Sequence, residues 1–177
     1  MTLLLRELRS EDWQVWRELR LAALEEAPHA FGSRLSDWAN AEEERWRARL
    51  EIAGSYNVVA VTDGHPVGMC SGVPTEDDGV VALISMWVAP AGRGRRIGER
   101  LIAAVEQWAL NMSAHTFELS VTTGNDHAHA LYLRCGFTET GERGDLMPDG
   151  VHHELVLRKK LDQLTAPSGT HPQSRGA

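Results

Sequence analysis

The sequence predicts an α+β fold: a mixed, mostly antiparallel sheet of six to seven strands, with one parallel pair at its centre and about four helices. Three observations predict it. The apolar spacing switches between helical and strand periods in the order strand, two helices, three strands, helix, strand, helix, two strands. Asp63-Gly64 is a tight-turn signal between two of the central strands, so that pair is a hairpin. A long amphipathic stripe separates the third central strand from the next one, so those two are parallel strands joined by a crossover helix.

Element by element, Leu3 to Leu8 reads as the first strand. Ser10 is placed to cap the first helix, with Glu11 and Asp12 in the first turn where acids suit the helix dipole. Val15, Leu19, Ala22 and Ala23 follow at helical spacing until Pro28. Ser36 is placed to cap a second helix that carries Trp38, Ala41, Trp46 and Leu50 on its apolar side and fades by Gly54. Tyr56 to Thr62 and His65 to Val73 are the hairpin strands. Val80 to Val88 is an apolar run suited to a strand buried on both faces, and Pro90 stops it. Ile97, Leu101, Ala104, Val105, Trp108 and Met112 form one helical stripe. Phe117 to Thr122 is the next strand, and Asp126 to Arg134 a short helix ended by Cys135-Gly136. Phe137 to Glu142 and Val151 to Lys159 are the last two strands.

The chain has 177 residues, which fits one domain, placed at 1–161. The stretch 162–177 is rich in Pro, Gly, Ser and Thr and is expected to be a disordered tail. With 42% hydrophobic and 24% charged residues the class is soluble and globular. No apolar run is long enough to cross a bilayer, and the N-terminus lacks the basic lead-in and cleavage site of a signal peptide. The expectation is a cytoplasmic protein without a membrane partner. Cys70 and Cys135 are too few and too far apart for a disulfide framework or a metal site. The formal net charge of −7 argues against nucleic acid as a partner. It favours a cationic substrate over an anionic one.

One stretch is basic. Arg93, Arg95, Arg96 and Arg100 cluster where a strand ends, glycines allow close backbone approach and a helix begins. Free backbone N–H groups and the positive end of the helix dipole suit a pyrophosphate there. A P-loop would end in Gly-Lys-Ser/Thr, which is missing. A dinucleotide fingerprint started at Gly92 and Gly94 would need a third glycine at Ile97. A third option is the acyl-CoA turn, [Gln/Arg]-x-x-Gly-x-[Gly/Ala]: Arg93 resembles its opening residue and Gly98 its last, while Arg96 stands where the middle glycine is usual.

That turn resembles the GNAT superfamily of acetyl-CoA-dependent N-acetyltransferases. A second segment, Asn125-x-x-Ala128-x-x-Leu131-Tyr132-x-x-x-Gly136-Phe137, resembles the family's Asn…Ala…Leu-Tyr…Gly-Phe pattern residue by residue. The resemblance covers about residues 3 to 160. It implies the GNAT fold, in which the central parallel pair splays apart, and acetyl-CoA as cosubstrate without a metal. It implies that Trp87 and Val88 contact the pantetheine arm through the backbone, that Arg93, Gly94, Arg95, Arg96, Ile97, Gly98 and Glu99 hold the pyrophosphate, and that Asn125 bonds the arm from the other side. Tyr132 stands where the family places the donor that protonates the departing thiolate. A tyrosine hydroxyl stays protonated at neutral pH, as that task requires. Relatives often use a glutamate as base on the central strand, but Val80 to Val88 holds no acid. Ser120 occupies a position where some relatives have glutamate, and Glu118 shares its face by alternation. Glu118, or a water relay through Ser120, is therefore the expected base. Phe31 and Trp38 are the residues expected to touch the acceptor.

His127-x-His129 and His152-His153 invite a metal reading. Residues two apart on a helix point apart, and no acid or cysteine completes a ligand set, so surface histidines are expected. Three functions remain open: acetylation of a small-molecule amine, acetylation of a peptide or protein amine, and acyl-CoA binding without catalysis. Family members often form homodimers, so a homodimer is also open.

Overall fold

The computed structural model describes residues 2–162. The expected tail falls almost wholly outside the described residues. Seven strands form one sheet in the order β1-β2-β3-β4-β5-β7-β6. They are β1 (Leu3–Glu7), β2 (Tyr56–Thr62), β3 (His65–Pro74), β4 (Val80–Val88), β5 (Thr116–Thr122), β6 (Thr138–Leu146) and β7 (His153–Lys160). Only β4 and β5 run parallel. The helices are α1 (Trp13–Glu26), α2 (Leu35–Trp38), α3 (Glu43–Leu50), α4 (Ile97–Asn111) and α5 (Asp126–Arg134).

The sheet has a core on each face. The α4 stripe of Ile97, Leu101, Val105 and Ala109 packs with Val58, Cys70, Val81 and Leu83 on one side. Phe117, Leu119 and Val121, alternate residues of β5, face the same side. On the other side Trp16, Leu19, Ala23 and Leu24 of α1 and Trp46 and Leu50 of α3 pack on Val59, Met69 and Trp87. No helix among the described residues is long and apolar enough to cross a membrane.

The predicted elements are all present, with two local differences. Ser10 does not cap the first helix: Ser10–Asp12 forms a 3₁₀ turn and α1 starts at Trp13. Asp12 instead accepts a bond from the Arg9 backbone N–H at 3.0 Å. The predicted second helix is broken into α2 and α3, which raises the helix count to five. Ser36 lies inside α2, and Arg34 precedes it as the cap, its N–H donating to Asp37 at 2.9 Å. The break lets the Trp46 indole donate to the Ala41 carbonyl at 3.1 Å. Glu43 and Glu44 then sit in the first turn of α3, at the positive end of its dipole.

Helix α4 lies close on β3 because Gly72 has no side chain. A Cβ at Gly72 would stand 2.5 Å from Trp108 Cζ3 and 2.7 Å from Val105 Cγ1. Gly72→Ala should therefore lower stability by about 1–3 kcal/mol, the usual cost of overpacking. Urea unfolding checks this, and an unchanged midpoint would show that α4 can shift freely.

Candidate active site

The parallel pairing of β4 with β5 runs from Val80↔Thr116 to Leu83↔Leu119 and then stops. Both strands continue, β4 to Val88 and β5 to Thr122. The cause lies in β4. Between Ser71↔Ile84 and Met69↔Trp87 the β3–β4 register gains one residue on β4, a bulge centred on Ser85, whose φ is +54°. A bulge bends its strand and ends regular pairing. Arg49 from α3 secures it, donating to Ser85 Oγ at 3.1 Å and to Ser71 Oγ and Asn57 Oδ1 at 3.2 Å. Ser71 in turn donates to Asn57 Oδ1 at 2.6 Å. The result is a gap flanked by Ile84–Val88 on one side and Ser120–Thr122 on the other.

Two clefts open from the gap. The first, of about 500 Å³, lies over the start of α4 and reaches α5. It is lined by Trp87, Val88, Arg93, Gly94, Arg96, Ile97, Gly98, Glu99, Asn125 and Tyr132. These are the sequence-predicted cofactor residues, with the exception of Arg95, which is exposed and does not line the cleft. The turn before α4 is built as a glycine-rich turn despite Arg96. Gly94 has φ +76° and Arg96 has φ +57°, so the arginine takes the left-handed conformation that glycine would have taken. Gly98 lets α4 approach α5, since a Cβ there would stand 3.0 Å from Leu131. Arg93 bonds Glu26 at 2.7 Å and the Val88 carbonyl at 3.1 Å. The Trp87 indole also donates to Glu26, at 3.0 Å. The Arg93 guanidinium, and then that indole, hold the Glu26 carboxyl below the usual range. Asn125 caps α5, accepting weakly from the Ala128 N–H at 3.4 Å.

The second cleft, of about 390 Å³, lies on the other side of the sheet, between α1, α3 and strands β4, β5 and β7. It contains the predicted acceptor residues Phe31 and Trp38 and the predicted base candidates Glu118 and Ser120. Glu118 is held in an ion pair with Arg158 at 2.9 Å. Two features escaped the sequence reading. One is Glu154 on β7, opposite Thr122 of β5. Burial, followed by the charge of Asp145, pushes its carboxyl above the usual range, partly offset by bonds from the Asp145 backbone and the Ser120 hydroxyl. Gly144 of β6 packs closely on this side chain, since a Cβ there would stand 3.0 Å from Glu154 Oε2. The other is a pair of arginines, Arg20 and Arg49, in the cleft wall. The strand pairing that places Glu154 beside β5 leaves no local pattern in the sequence.

The two clefts share Ala30, Phe31, Met86 and Tyr132. Tyr132 is buried from α5, edge-on to Phe137 at 6.2 Å. Burial pushes its hydroxyl well above the ordinary tyrosine value, so it is a proton donor at neutral pH. Two of the four histidines have local partners: His129 meets Glu139 at 2.7 Å and His152 meets Asp149 at 2.6 Å.

The sequence profile of the Acetyltransferase (GNAT) family matches residues 5–137. The chain belongs to that family. The family's description is that of an acetyltransferase. Among curated relatives it is similar to N-acetylaspartate synthetase of Mus musculus, 32% identical over 80% of this chain and 44% of that one. The chain spans less than half the length of the N-acetylaspartate synthetases it matches. It is also similar to aminoglycoside N(6')-acetyltransferase type 1 of Stenotrophomonas maltophilia, 26% identical over 77% of this chain and 86% of that one. Among solved structures it superposes on ribosomal-protein-alanine N-acetyltransferase from Brucella melitensis with a TM-score of 0.73, at 25% identity over 89% of this chain and 99% of that one.

The left-handed Arg96 yields a direct test of the GNAT turn. A residue with a Cβ costs roughly 1 kcal/mol there relative to glycine. Arg96→Gly should thus be more stable than Arg96→Ala by about 1 kcal/mol, read by thermal unfolding. The reverse order would mean that the turn does not hold this conformation.

Proposed function

We propose that this acetyltransferase moves the acetyl group of acetyl-CoA directly to a primary amine on a small molecule, within a ternary complex. The observation that carries the reading is the meeting of two clefts at Tyr132 and Met86, where β4 and β5 stop pairing. Acetyl-CoA lies in the cleft over the α4 turn. Its pyrophosphate sits on the backbone N–H groups between Gly94 and Glu99. The pantetheine arm enters the gap and bonds the open edge of β4 near Trp87 and Val88, in the manner of an added strand. Asn125 flanks it from α5.

The acceptor occupies the second cleft, whose volume suits a small molecule. Glu154 takes a proton from the ammonium group and leaves a neutral amine. The amine nitrogen attacks the thioester carbonyl carbon. The C–S bond breaks as the amide forms, and the Tyr132 hydroxyl gives its proton to the departing sulfur. The surplus proton of the new amide nitrogen leaves to solvent, and Tyr132 is reprotonated. Burial raises the basicity of Glu154 and keeps Tyr132 protonated; it also weakens the hydroxyl as an acid, which the destabilisation of the thiolate by the same apolar surroundings offsets.

A small-molecule acceptor agrees with the name of one relative, an enzyme called for an N-acetylated amino acid, and with that of another, called for an aminoglycoside. The ribosomal-protein-alanine enzyme keeps a protein N-terminus as the alternative acceptor.

Tyr132→Phe should lower kcat by about 100-fold, the scale of lost general-acid help, and leave the KM for acetyl-CoA unchanged. An unchanged kcat would remove Tyr132 from the chemistry. In a pH–rate profile the acidic limb should fall where Glu154 gains its proton, above the pH at which an ordinary glutamate does. Glu154→Gln should abolish that limb and Glu118→Gln should leave it. The opposite result would return the base to Glu118.

A further inference from the structure

The acceptor cleft is lined by charges of both signs. Glu118 and Glu154 belong to β5 and β7. Arg20 comes from α1 and Arg49 from α3. The acids are accounted for: Glu118 bonds Arg158, and Glu154 bonds Ser120. The arginines have no acid. Among the described residues, neither takes part in an ion pair.

Arg49 donates to three neutral oxygens, those of Asn57, Ser71 and Ser85, and lies 4.9 Å over the Trp16 ring. Arg20 lies 4.6 Å over the Phe31 ring, and its Nη1 is buried without a hydrogen-bond partner. Trp16 Nε1, on the same cleft wall, is buried without one as well. Burial lowers both guanidinium groups to about 10, and for Arg20 the nearby charge of Arg49 adds to the effect. Two half-buried cations that repel each other, one of them with a buried nitrogen short of a bond, are costly unless something else neutralises them. A guanidinium fork is shaped for a carboxylate, and stacking on an aromatic ring holds its plane.

We infer that the acceptor is an amine that also carries a carboxylate, an amino acid, held with its carboxylate against Arg20 and Arg49 and its amino group toward Glu154 and the gap. This inference rests on the small-molecule reading above and narrows it. It runs against the bulk charge of −7, from which a cationic acceptor was expected. The local wall decides, since exposed charges elsewhere on the surface are screened within about 10 Å.

The test separates binding from chemistry. Free L-amino acids, their carboxamides and their decarboxylated amines are titrated calorimetrically into the protein loaded with CoA. The same compounds are then assayed for free-thiol release from acetyl-CoA. At least one free amino acid should bind ~100-fold more tightly than its carboxamide, the scale of two charge-assisted bonds. Arg20→Met should remove that preference and leave acetyl-CoA affinity unchanged, while Arg20→Lys should keep part of it. The lysine variant and the parent's own ratio decide the matter if the methionine variant fails to fold. Equal binding of acids, carboxamides and decarboxylated amines, or no binding by any, overturns the inference. An amino acid that binds with this preference yet releases no thiol supports the carboxylate site and defeats the catalytic reading instead.

Discussion

The bulge at Ser85 is the constraint on which the site depends. Without it β4 and β5 would continue their ladder past Leu83 and Leu119, and the sheet would have no opening. A strand edge inside a protein must find partners for its backbone groups or lose stability. This fold leaves two such edges facing each other across a gap, each still tied to a neighbour on its far side, β4 to β3 and β5 to β7. The arrangement is stiff where it is paired and open where the chemistry is proposed. Its support comes from a distance: Arg49, on a short helix of the other layer, bonds the bulged serine directly.

Much of the fold was legible in the sequence because its periods are clean. The α4 stripe, the Asp63-Gly64 hairpin and the apolar run of β4 each obey a local rule. The split between α2 and α3 was not legible, since no breaker residue marks it; the break leaves the Ala41 carbonyl to accept from the Trp46 indole. The lining of the cleft over the α4 turn was likewise readable. Its residues lie in two contiguous segments, Arg93 to Glu99 and Asn125 to Phe137, that resemble the GNAT pattern. Arg96 kept the geometry of the glycine it replaces, which the sequence alone does not tell.

The second cleft was legible only in part. Phe31 and Trp38 reach the cleft as expected, and so do Glu118 and Ser120. The groups that distinguish this cleft come from Arg20, Arg49 and Glu154, which are far apart in sequence and sit in ordinary amphipathic or alternating contexts. In the sequence they look like surface charges. Only packing places the two arginines in the cleft wall, without an ion pair among the described residues, and only the β5–β7 pairing brings Glu154 to Ser120.

The account stands or falls on where the thioester lies. A crystal structure with CoA bound is the direct measurement. The account predicts the pantetheine arm along the open edge of β4 from Ile84 to Val88, with the CoA sulfur within hydrogen-bond reach of the Tyr132 hydroxyl at the junction of the two clefts. A sulfur placed away from Tyr132, or an arm that leaves the β4–β5 gap empty, would contradict it.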